Sequence, residues 1–539
     1  MLELTYKGIA DRQAWESKGI ELPKFDVEKV RENTLKNPTW VHIGSGNIFR
    51  AYIGNLQQHL LNEGLADTGI LATTTFDPEI VDKACKPYDS LTVLVSLKAD
   101  GSTDKKVIAS ISETVKAEMG TEDYKVLEDA FTNESLQMVS FTITEKGYSL
   151  YNMAGELLPF VVADMEKGPK EACTHAMSIV TALLYKRYEA GKLPVSLVSM
   201  DNCSHNGDKV KSSVLTIAKA WLEKGFVEEG FIAYLEDESK VAFPWSMIDK
   251  ITPRPSEFVQ KQLEELGIKD MAPIVTSNNT FIAPFVNAEV PEYLVIEDKF
   301  PNGRPCLEKA GVYFTDRDTV NNVERMKVTT CLNPLHTALA VYGCLLGYTS
   351  IAEEMKDKEL KSLVEKIGYQ EGMPVVVDPK ILSPKAFIDE VINLRLPNPF
   401  IPDAPQRIAT DTSMKLAIRF GETIKSYVAR EDLDPTTLVY IPLVLAGWCR
   451  YLLAKDDKLE DMSVSSDPML AELQVTLSTV KADDVASYNG QLKDILSNPV
   501  LFGVNLYEVG LAEKVEGMFK EMLAGKGAVR NTLVKYLNN

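Results

Sequence analysis

In the first half of the chain, short apolar runs rich in β-branched residues alternate with longer stretches whose apolar positions recur every three or four residues. The short runs predict buried strands, and the longer stretches predict amphipathic helices. The predicted strands are Trp40–Ile43, Ile70–Phe76, Met138–Thr144 and Val195–Ser199. The predicted helices are Arg50–Asn62, Tyr124–Thr132, Ala172–Tyr188 and Val210–Glu223. This alternation is typical of an α/β domain with a parallel sheet.

Two departures from this alternation complete the predicted organisation. Segments 91–97 and 107–111 flank a polar turn that begins at Lys98, which predicts a hairpin inserted into the sheet region. After about Asp298, amphipathic helices dominate the pattern, at 350–367, 384–394, 414–429, 468–480 and 511–523. Because a chain of 539 residues exceeds what one hydrophobic core usually serves, we predict two domains. The first is an α/β domain over residues 1–298, and the second is a mostly α-helical domain over residues 299–539.

Composition and charge exclude several classes of protein. Hydrophobic residues make up 45% of the chain, and no apolar run reaches the about 18 residues that cross a bilayer. The first residues lack the basic and then apolar pattern of a secretion signal, so the expected location is the cytoplasm. A net charge of −19 would repel nucleic acid. An anionic substrate would therefore need cations placed locally around it.

The cysteines and histidines do not indicate a metal site. The seven cysteines include no C-x-x-C pair, which favours reduced, buried thiols over a disulfide framework. The five histidines show neither H-x-x-x-H nor H-E-x-x-H spacing. A zinc site assembled from distant residues stays open, but no local pattern indicates one.

A glycine-rich turn follows the first predicted strand. Gly44 and Gly46 lie between this strand and a helix, where glycines allow a tight turn and a close approach of a pyrophosphate to backbone N–H groups. Phe49 occupies the third position of the G-x-G-x-x-G pattern. The alternative interpretation is an ordinary strand–helix turn. The context predicts a Rossmann-type dinucleotide-binding domain, and the further residues expected to contact the cofactor are Asn47, Ile48 and Arg50.

A carboxylate ends the second predicted strand. Asp77 can accept hydrogen bonds from both adenosine ribose hydroxyls and repel a 2′-phosphate, which favours NAD over NADP. No arginine or lysine immediately follows it. The alternative is an aspartate that opens a turn before Pro78. NAD is the predicted cofactor.

The segment 323–337 carries the residues best suited to alcohol–ketone chemistry. A lysine such as Lys327 can act as a general base if burial lowers its pKa. Asn333 and His336 are three residues apart, so they share one face of a helix. An amide can stabilise an alkoxide, and an imidazole can hold a hydroxyl. The alternative is a surface lysine, a capping asparagine before Pro334 and a buried histidine.

Six segments in the same order resemble the mannitol dehydrogenase family of polyol-specific long-chain dehydrogenases. They are HIGSGNIFRA (42–51), TITEKGY (142–148), SMDNCSHNG (199–207), SMIDKITP (246–253), LVIEDKFPNGR (294–304) and RIATDTSMK (407–415). The resemblance implies a Rossmann-type domain, a helical C-terminal domain, a substrate cleft between them, and hydride transfer with a nicotinamide and without zinc.

The resemblance also implies roles for individual residues. Lys327 would be the general acid/base, Asn202 and Asn333 would stabilise the alkoxide, and His336 would orient the substrate. The positions implied for substrate contacts are Arg407, Lys415 and Asp249. The family spaces its lysine and asparagine as K-x4-N, whereas Lys327 and Asn333 are spaced as K-x5-N. Because one extra residue turns a helix by about 100°, we expect a bulge or a non-helical turn between them.

The resemblance favours a sugar-acid substrate, because Arg407, Lys415 and Arg254 offer cations for a carboxylate. We predict an NAD-dependent oxidoreductase that interconverts D-fructuronate and D-mannonate. The alternatives are a tagaturonate reductase and a mannitol or other polyol 2-dehydrogenase. A catalytically silent nucleotide-binding protein is the alternative from another class. The expected assembly is a monomer or a small homo-oligomer.

Overall fold

A computed structural model describes residues 1–152 and 154–538 of the chain. It divides the chain into two units, Met1–Asn321 and Asn322–Asn539. The division falls later than the predicted boundary at residue 298. The reason is that Tyr313–Thr315 forms a strand paired in parallel with Tyr293–Glu297, which ties this segment to the first unit.

The strands of the described residues lie in the first unit. In chain order they are β1 (Ile20–Glu21), β2 (Trp40–Ile43), β3 (Ile70–Thr74), β4 (Thr92–Leu97), β5 (Thr103–Ile108), β6 (Ile111–Lys116), β7 (Met138–Phe141), β8 (Val195–Ser199), β9 (Val241–Ala242), β10 (Ser246–Asp249), β11 (Ile274–Val275), β12 (Phe281–Ile282), β13 (Phe285–Glu289), β14 (Tyr293–Glu297) and β15 (Tyr313–Thr315). The main sheet has six strands in the order β6-β3-β2-β7-β8-β9, and every pair in it is parallel. The predicted α/β class is therefore confirmed.

The helices of the first unit connect and cover these strands. They are α1 (Tyr6–Ile9), α2 (Arg12–Glu16), α3 (Val27–Lys36), α4 (Gly54–Asn62), α5 (Glu122–Thr132), α6 (Thr144–Tyr148), α7 (Pro159–Lys167), α8 (Ala176–Glu189), α9 (Asn206–Glu223), α10 (Glu229–Glu236) and α11 (Glu257–Glu265), with α12 (Arg317–Met326) crossing the division between the units. Strands β2, β3, β7 and β8 are buried along their whole length. A parallel sheet covered on both faces requires such continuous burial, which explains the unbroken apolar runs in the sequence.

The predicted hairpin exists, but it belongs to a second sheet. Strands β4 and β5 pair antiparallel, and this sheet has the order β1-β5-β4-β13. The segment 107–111 was predicted as one strand, whereas β5 ends at Ile108 and β6 begins at Ile111. Strand β6 then joins the edge of the main sheet beside β3. The single strand was wrong because the chain passes from one sheet to the other within these residues.

The second unit is helical. Its α-helices are α13 (Asn333–Leu346), α14 (Ile351–Glu354), α15 (Lys358–Glu365), α16 (Pro384–Glu390), α17 (Pro405–Ile408), α18 (Glu422–Ala429), α19 (Tyr440–Tyr451), α20 (Leu470–Thr476), α21 (Lys493–Leu496), α22 (Pro499–Phe502), α23 (Ala512–Met522) and α24 (Ala528–Leu537). Short π-helical segments continue several helices, at Lys327–Cys331, Lys366–Gly372, Val391–Arg395 and Ala417–Gly421. Helices α13 and α19 are buried over most of their length and form the centre of this unit. The predicted helical character of the C-terminal half is confirmed.

Candidate active site

The glycine turn lies at the point where the order of the main sheet reverses. Strand β2 is the first of this sheet along the chain, and its neighbours are β3 and β7. In open α/β sheets, this reversal creates the crevice in which dinucleotides bind, at the carboxyl ends of the strands. Gly44 follows β2 with φ +115°, and a Cβ there would lie 2.2 Å from the carbonyl oxygen of Thr142, which follows β7. The loops after the two strands therefore meet at a position that only glycine can occupy.

The remaining residues of the turn have different surroundings. A Cβ at Gly46 would meet no atom within 4 Å, so the backbone there stays open to an approaching group. The chain becomes helical from Asn47, which leaves the first N–H groups of a helix at this turn. Ile48 and Asn47 are half-buried. The open space and the helix N-terminus fit a pyrophosphate.

Arg50 lies deeper than the sequence suggested. The side chain is buried, and its guanidinium donates to the carbonyl oxygen of Ala283 at 2.7 Å and to Oδ1 of Asn47 at 2.9 Å. Burial lowers the pKa of Arg50 to about 10. Arg50 therefore holds the turn in place through Asn47, and the expected direct contact with a cofactor stays a prediction.

Asp77 is buried in the loop that follows β3. Its Oδ2 accepts a hydrogen bond from Oγ1 of Thr276 at 2.5 Å. Within the described residues, its Oδ1 has no hydrogen-bond partner and is shielded from solvent. A buried carboxylate oxygen without a donor is costly unless a ligand supplies one. The adenosine ribose hydroxyls of NAD are such donors, so Asp77 fits the predicted cofactor.

Asn202 lies on an exposed turn after β8, and the neighbouring side chains fix this turn. Asp201 accepts hydrogen bonds from the backbone N–H of Ile143 at 2.8 Å and from the Tyr148 hydroxyl at 2.6 Å. Buried Asn206 donates to the carbonyl oxygens of Ser199 and Ser246, each at 3.1 Å. Sequence reasoning missed both residues, although they belong to the same segment. They make the turn that carries Asn202 well defined.

Asp249 is buried at the end of β10, opposite Tyr293 of β14. The following residue, Lys250, is held by the carbonyl oxygen of Glu289 at 2.6 Å and by the Glu292 carboxylate at 2.6 Å. These contacts fix the Lys250 side chain beside the end of β10. Asp249 and Asn202 both belong to the first unit, whereas Lys327, Asn333, His336, Arg407 and Lys415 belong to the second.

Lys327 is buried and begins a π-helical turn. This turn spans Lys327–Cys331 and joins α12 to α13. The backbone N–H of Leu332 donates to the carbonyl oxygen of Lys327 at 3.1 Å, so the hydrogen bond closes over five residues instead of four. The widened turn takes up one additional residue. It is the bulge that the K-x5-N spacing led us to expect.

Helix α13 begins at Asn333 and presents the two polar side chains that the sequence placed on one face. Nε2 of His336 lies 2.8 Å from Oδ2 of Asp403. Burial alone would raise the pKa of Asp403, but the contacts with His336 and Arg407 outweigh it and hold that pKa below its usual range. Sequence reasoning missed Asp403, although its four-residue spacing from Arg407 is a recognisable signal.

Arg407 and Lys415 both belong to the second unit, but different groups accept their hydrogen bonds. Arg407 donates through Nε to Oδ1 of Asp403 at 3.1 Å, and Nη2 contacts the same oxygen. Lys415 donates to the carbonyl oxygens of Thr410 and Ile408. Burial and the nearby guanidinium of Arg419 lower the pKa of Lys415. Arg419, which donates to Oγ1 of Thr337 on α13, is a further residue that sequence reasoning missed.

The reversed sheet order and the glycine turn define the first unit as a Rossmann-type dinucleotide-binding domain. Comparison with known families agrees. Residues 38–309 match the mannitol dehydrogenase Rossmann domain, and residues 319–523 match the mannitol dehydrogenase C-terminal domain. The chain belongs to the mannitol dehydrogenase family, which confirms the resemblance found in the sequence.

Individual relatives support the same assignment. The chain is 55% identical to the D-mannonate oxidoreductase of Thermotoga maritima over 99% of its own length and 98% of that protein. It is 30% identical to the Escherichia coli D-mannonate oxidoreductase over 80% of its own length and 84% of that protein. A Pseudomonas fluorescens mannitol 2-dehydrogenase in complex with NAD and D-mannitol has a TM-score of 0.69 and 25% identity, with 100% of each chain covered. A D-sorbitol dehydrogenase gives a TM-score of 0.78 and 26% identity, covering 96% of this chain and 97% of that one.

Two further observations concern the described part of the chain. None of its helices combines the length and the apolar character needed to cross a membrane. Across residues 1–152 and 154–538, no group of three or more His, Cys, Asp or Glu side chains is arranged to hold a metal ion.

Proposed function

We propose that the protein is an NAD-dependent oxidoreductase that interconverts D-fructuronate and D-mannonate. The observation that carries this proposal is the 55% identity to a D-mannonate oxidoreductase along nearly the whole chain. The more distant relatives act on polyols and on mannonate, so the identity favours the sugar acid over a neutral polyol.

Lys327 is the proposed general acid/base. In the reductive direction it donates a proton to the carbonyl oxygen of the substrate, and in the oxidative direction it accepts the hydroxyl proton. The position of Lys327 supports this role, because the side chain is buried in the turn that directly precedes the helix beginning at Asn333. NAD, when bound, supplies or accepts the hydride.

The amides of Asn333 and Asn202 are proposed to stabilise the substrate oxygen as negative charge develops on it. Within the described residues, the carboxamide of Asn333 makes no side-chain hydrogen bond, which leaves it available to a ligand. His336 is proposed to orient a neighbouring hydroxyl of the substrate. Its Nε2 lies 2.8 Å from Oδ2 of Asp403, so the imidazole is held close to this carboxylate.

Asp77 is the proposed determinant of NAD over NADP. Its partnerless Oδ1 would accept a hydrogen bond from the ribose, and its charge would repel a 2′-phosphate. A relative at 28% identity is a polyol:NADP oxidoreductase, so cofactor preference varies among the matched proteins. Gly44 and Gly46 are proposed to accommodate the pyrophosphate.

The test is a substrate survey with NADH oxidation as the readout. We expect the highest kcat/KM with D-fructuronate, and lower values with D-tagaturonate and D-fructose. In the reverse direction D-mannonate should exceed D-mannitol, and NADP(H) should support less turnover than NAD(H). If the protein reduces no uronate but is active on fructose or mannitol, its substrate is a neutral sugar or polyol and the proposal of a sugar acid is wrong.

The lysine is tested by Lys327→Ala. We expect kcat to fall by about 100- to 10,000-fold, the usual contribution of a general acid/base. NADH binding, measured by fluorescence, should persist. Lys385→Ala is the matched control, because Lys385 is 62% exposed and pairs with Asp389 on the surface. An unchanged kcat in Lys327→Ala would refute the role of this lysine, and no turnover by the wild type would favour a silent nucleotide-binding protein.

A further inference from the structure

Two neighbouring cations of the second unit, Lys415 and Arg419, form no ion pair with a carboxylate within residues 1–152 and 154–538. The backbone N–H of Arg419 donates to the carbonyl oxygen of Lys415 at 2.9 Å, as in a helix, so the two side chains share one face. Within the described residues, Lys415 donates only to two carbonyl oxygens, and Arg419 donates only to the hydroxyl of Thr337. Asp411 and Asp467 act on Lys415 from beyond ion-pair distance.

Other arginines of this unit are satisfied by their surroundings. Arg407, Arg430 and Arg530 each form an ion pair with an aspartate. Arg450 is buried and donates to three carbonyl oxygens. Arg419 has five N–H donors, is only half-buried and uses one of them within the protein. In a chain of net charge −19, an arginine and a lysine left together without a counter-ion indicate a site for an anion.

The position of this pair connects it to the proposed active site. Arg419 donates to Oγ1 of Thr337, and that hydroxyl donates to the backbone carbonyl of Asn333 at 2.9 Å. Thr337 follows Asn333 by four residues, so it shares a helix face with Asn333 and lies about 6 Å further along α13. A keto-uronate carries its ketone and its carboxylate on different carbons of one chain. Asn333 would contact the oxygen of the ketone. Arg419, which contacts Thr337 one turn further along α13, would then lie nearer to the carboxylate.

We propose that Arg419, together with Lys415, binds the carboxylate of the substrate and thereby selects a sugar acid over a neutral sugar. This inference rests on the proposed function and adds the residue that determines specificity. The planar guanidinium can present two parallel N–H donors to a carboxylate, which lysine cannot do. A neutral polyol would leave both charges without a counter-ion. Arg407 is a weaker candidate for this role, because Asp403 already neutralises it.

The test compares D-fructuronate with D-fructose, which differ only in a carboxylate against a hydroxymethyl group. The variants are Arg419→Met, Arg419→Lys and the control Arg430→Met. Arg430 carries the same charge on the surface and pairs with Asp432. We expect Arg419→Met to lower the ratio of kcat/KM for fructuronate to that for fructose by about 10- to 100-fold, the effect of losing a hydrogen bond to a charged group. The loss should appear mainly in the KM for fructuronate.

The controls separate a specific role from a structural one. Arg419→Lys should keep part of the ratio, and Arg430→Met should keep all of it. If Arg419→Met lowers both activities equally, Arg419 acts only by supporting Thr337 and α13, and the inference is overturned. If the wild type reduces fructuronate and the ratio stays unchanged in Arg419→Met, the inference also fails while the proposed function stands. If the wild type does not prefer fructuronate to fructose, the proposed function itself fails and this inference fails with it.

Discussion

Nε2 of His336 and Oδ2 of Asp403 lie 2.8 Å apart, so a predicted site residue meets a charged group that sequence reasoning missed. Asp403 also contacts Arg407, so a single carboxylate fixes two of the side chains assigned to the substrate. Because His336 and Arg407 hold the pKa of Asp403 below its usual range, the carboxylate stays ionised at neutral pH. Asp403 loses its charge, and with it these contacts, as pH falls through that lowered pKa.

Asp403→Asn should therefore impair catalysis without removing any group that touches the substrate. Removing the charge of Asp403 weakens its contacts with His336 and Arg407, and we expect about a tenfold loss of kcat/KM. Steady-state kinetics with fructuronate measure this loss. Asp378→Asn, at an exposed aspartate paired with Lys380, is the control. Wild-type kinetics in Asp403→Asn would show that the contact has no role in catalysis.

The two glycines of the turn should respond differently to alanine. Gly44→Ala places a Cβ 2.2 Å from the carbonyl oxygen of Thr142 at a positive φ, so the protein should lose about 1 to 3 kcal/mol or more of stability. Gly46→Ala meets no protein atom and should keep the melting temperature. It should nevertheless weaken NADH binding by about tenfold, since the methyl group would occupy space beside the pyrophosphate. Thermal unfolding and NADH fluorescence titration distinguish the two effects, and equal NADH affinity of Gly46→Ala and wild type would contradict the assignment.

Asp77 should control the choice of cofactor. In Asp77→Ser, kcat/KM with NADH should fall by about tenfold or more, whereas kcat/KM with NADPH should rise, because the carboxylate that repels a 2′-phosphate is gone. Thr276→Val is the matched variant, since it removes only the hydrogen bond to Oδ2 of Asp77. It should keep the preference for NADH. An unchanged NADH to NADPH ratio in Asp77→Ser would place the determinant elsewhere.

Glu354 should make stability fall as pH rises. Its carboxyl group is fully buried on α14, and within the described residues neither oxygen has a hydrogen-bond partner. Burial, with contributions from Asp403 and Asp357, raises the pKa of Glu354 to about 9. The folded protein thus binds a proton that the unfolded chain releases above about pH 4.3. The contribution of Glu354 to stability is greatest below that pH and declines by up to about 1.4 kcal/mol per pH unit towards pH 9.

Glu354→Gln removes this titration and should raise the melting temperature more at pH 8 than at pH 5. Its exposed neighbour Glu353, which pairs with Lys356, provides the control variant Glu353→Gln. Circular dichroism melts at the two pH values give the comparison. An equal shift at both would mean that Glu354 does not titrate on unfolding in this range.

The elements of the fold were predictable where burial and periodicity agree. Strand β2 has the predicted bounds, because a parallel strand covered on both faces needs a continuous apolar run. Strand β6 was missed, because the chain leaves one sheet at Ile108 and enters another at Ile111. The local pattern of apolar residues does not indicate which sheet a strand joins. The sheet order depends on contacts distant in sequence for the same reason.

The site was predictable in part. Asn333 and His336 follow from their helical spacing, but the contact of His336 with Asp403 joins residues far apart in the chain. Arg50 shows what the sequence could not reveal, because its guanidinium donates to the carbonyl oxygen of Ala283 and to Asn47, while its expected contact with a cofactor stays a prediction. Spacing identifies which residues share a face. It does not reveal whether a charged side chain is already neutralised by the protein.

The π-helical turn at Lys327–Cys331 bears on how such enzymes are recognised and diversified. An insertion within a helix normally rotates everything beyond it, so it would be expected to separate a proton donor from its neighbours and to be eliminated. Here the wider turn confines the extra residue to a single loop of backbone, and α13 starts directly afterwards with Asn333. A search that demands a fixed gap between the lysine and the asparagine would reject this chain. A search that allows this gap to vary by one residue would retain it. The same turn allows the position of a buried lysine to change during evolution while the helix that follows keeps its structure.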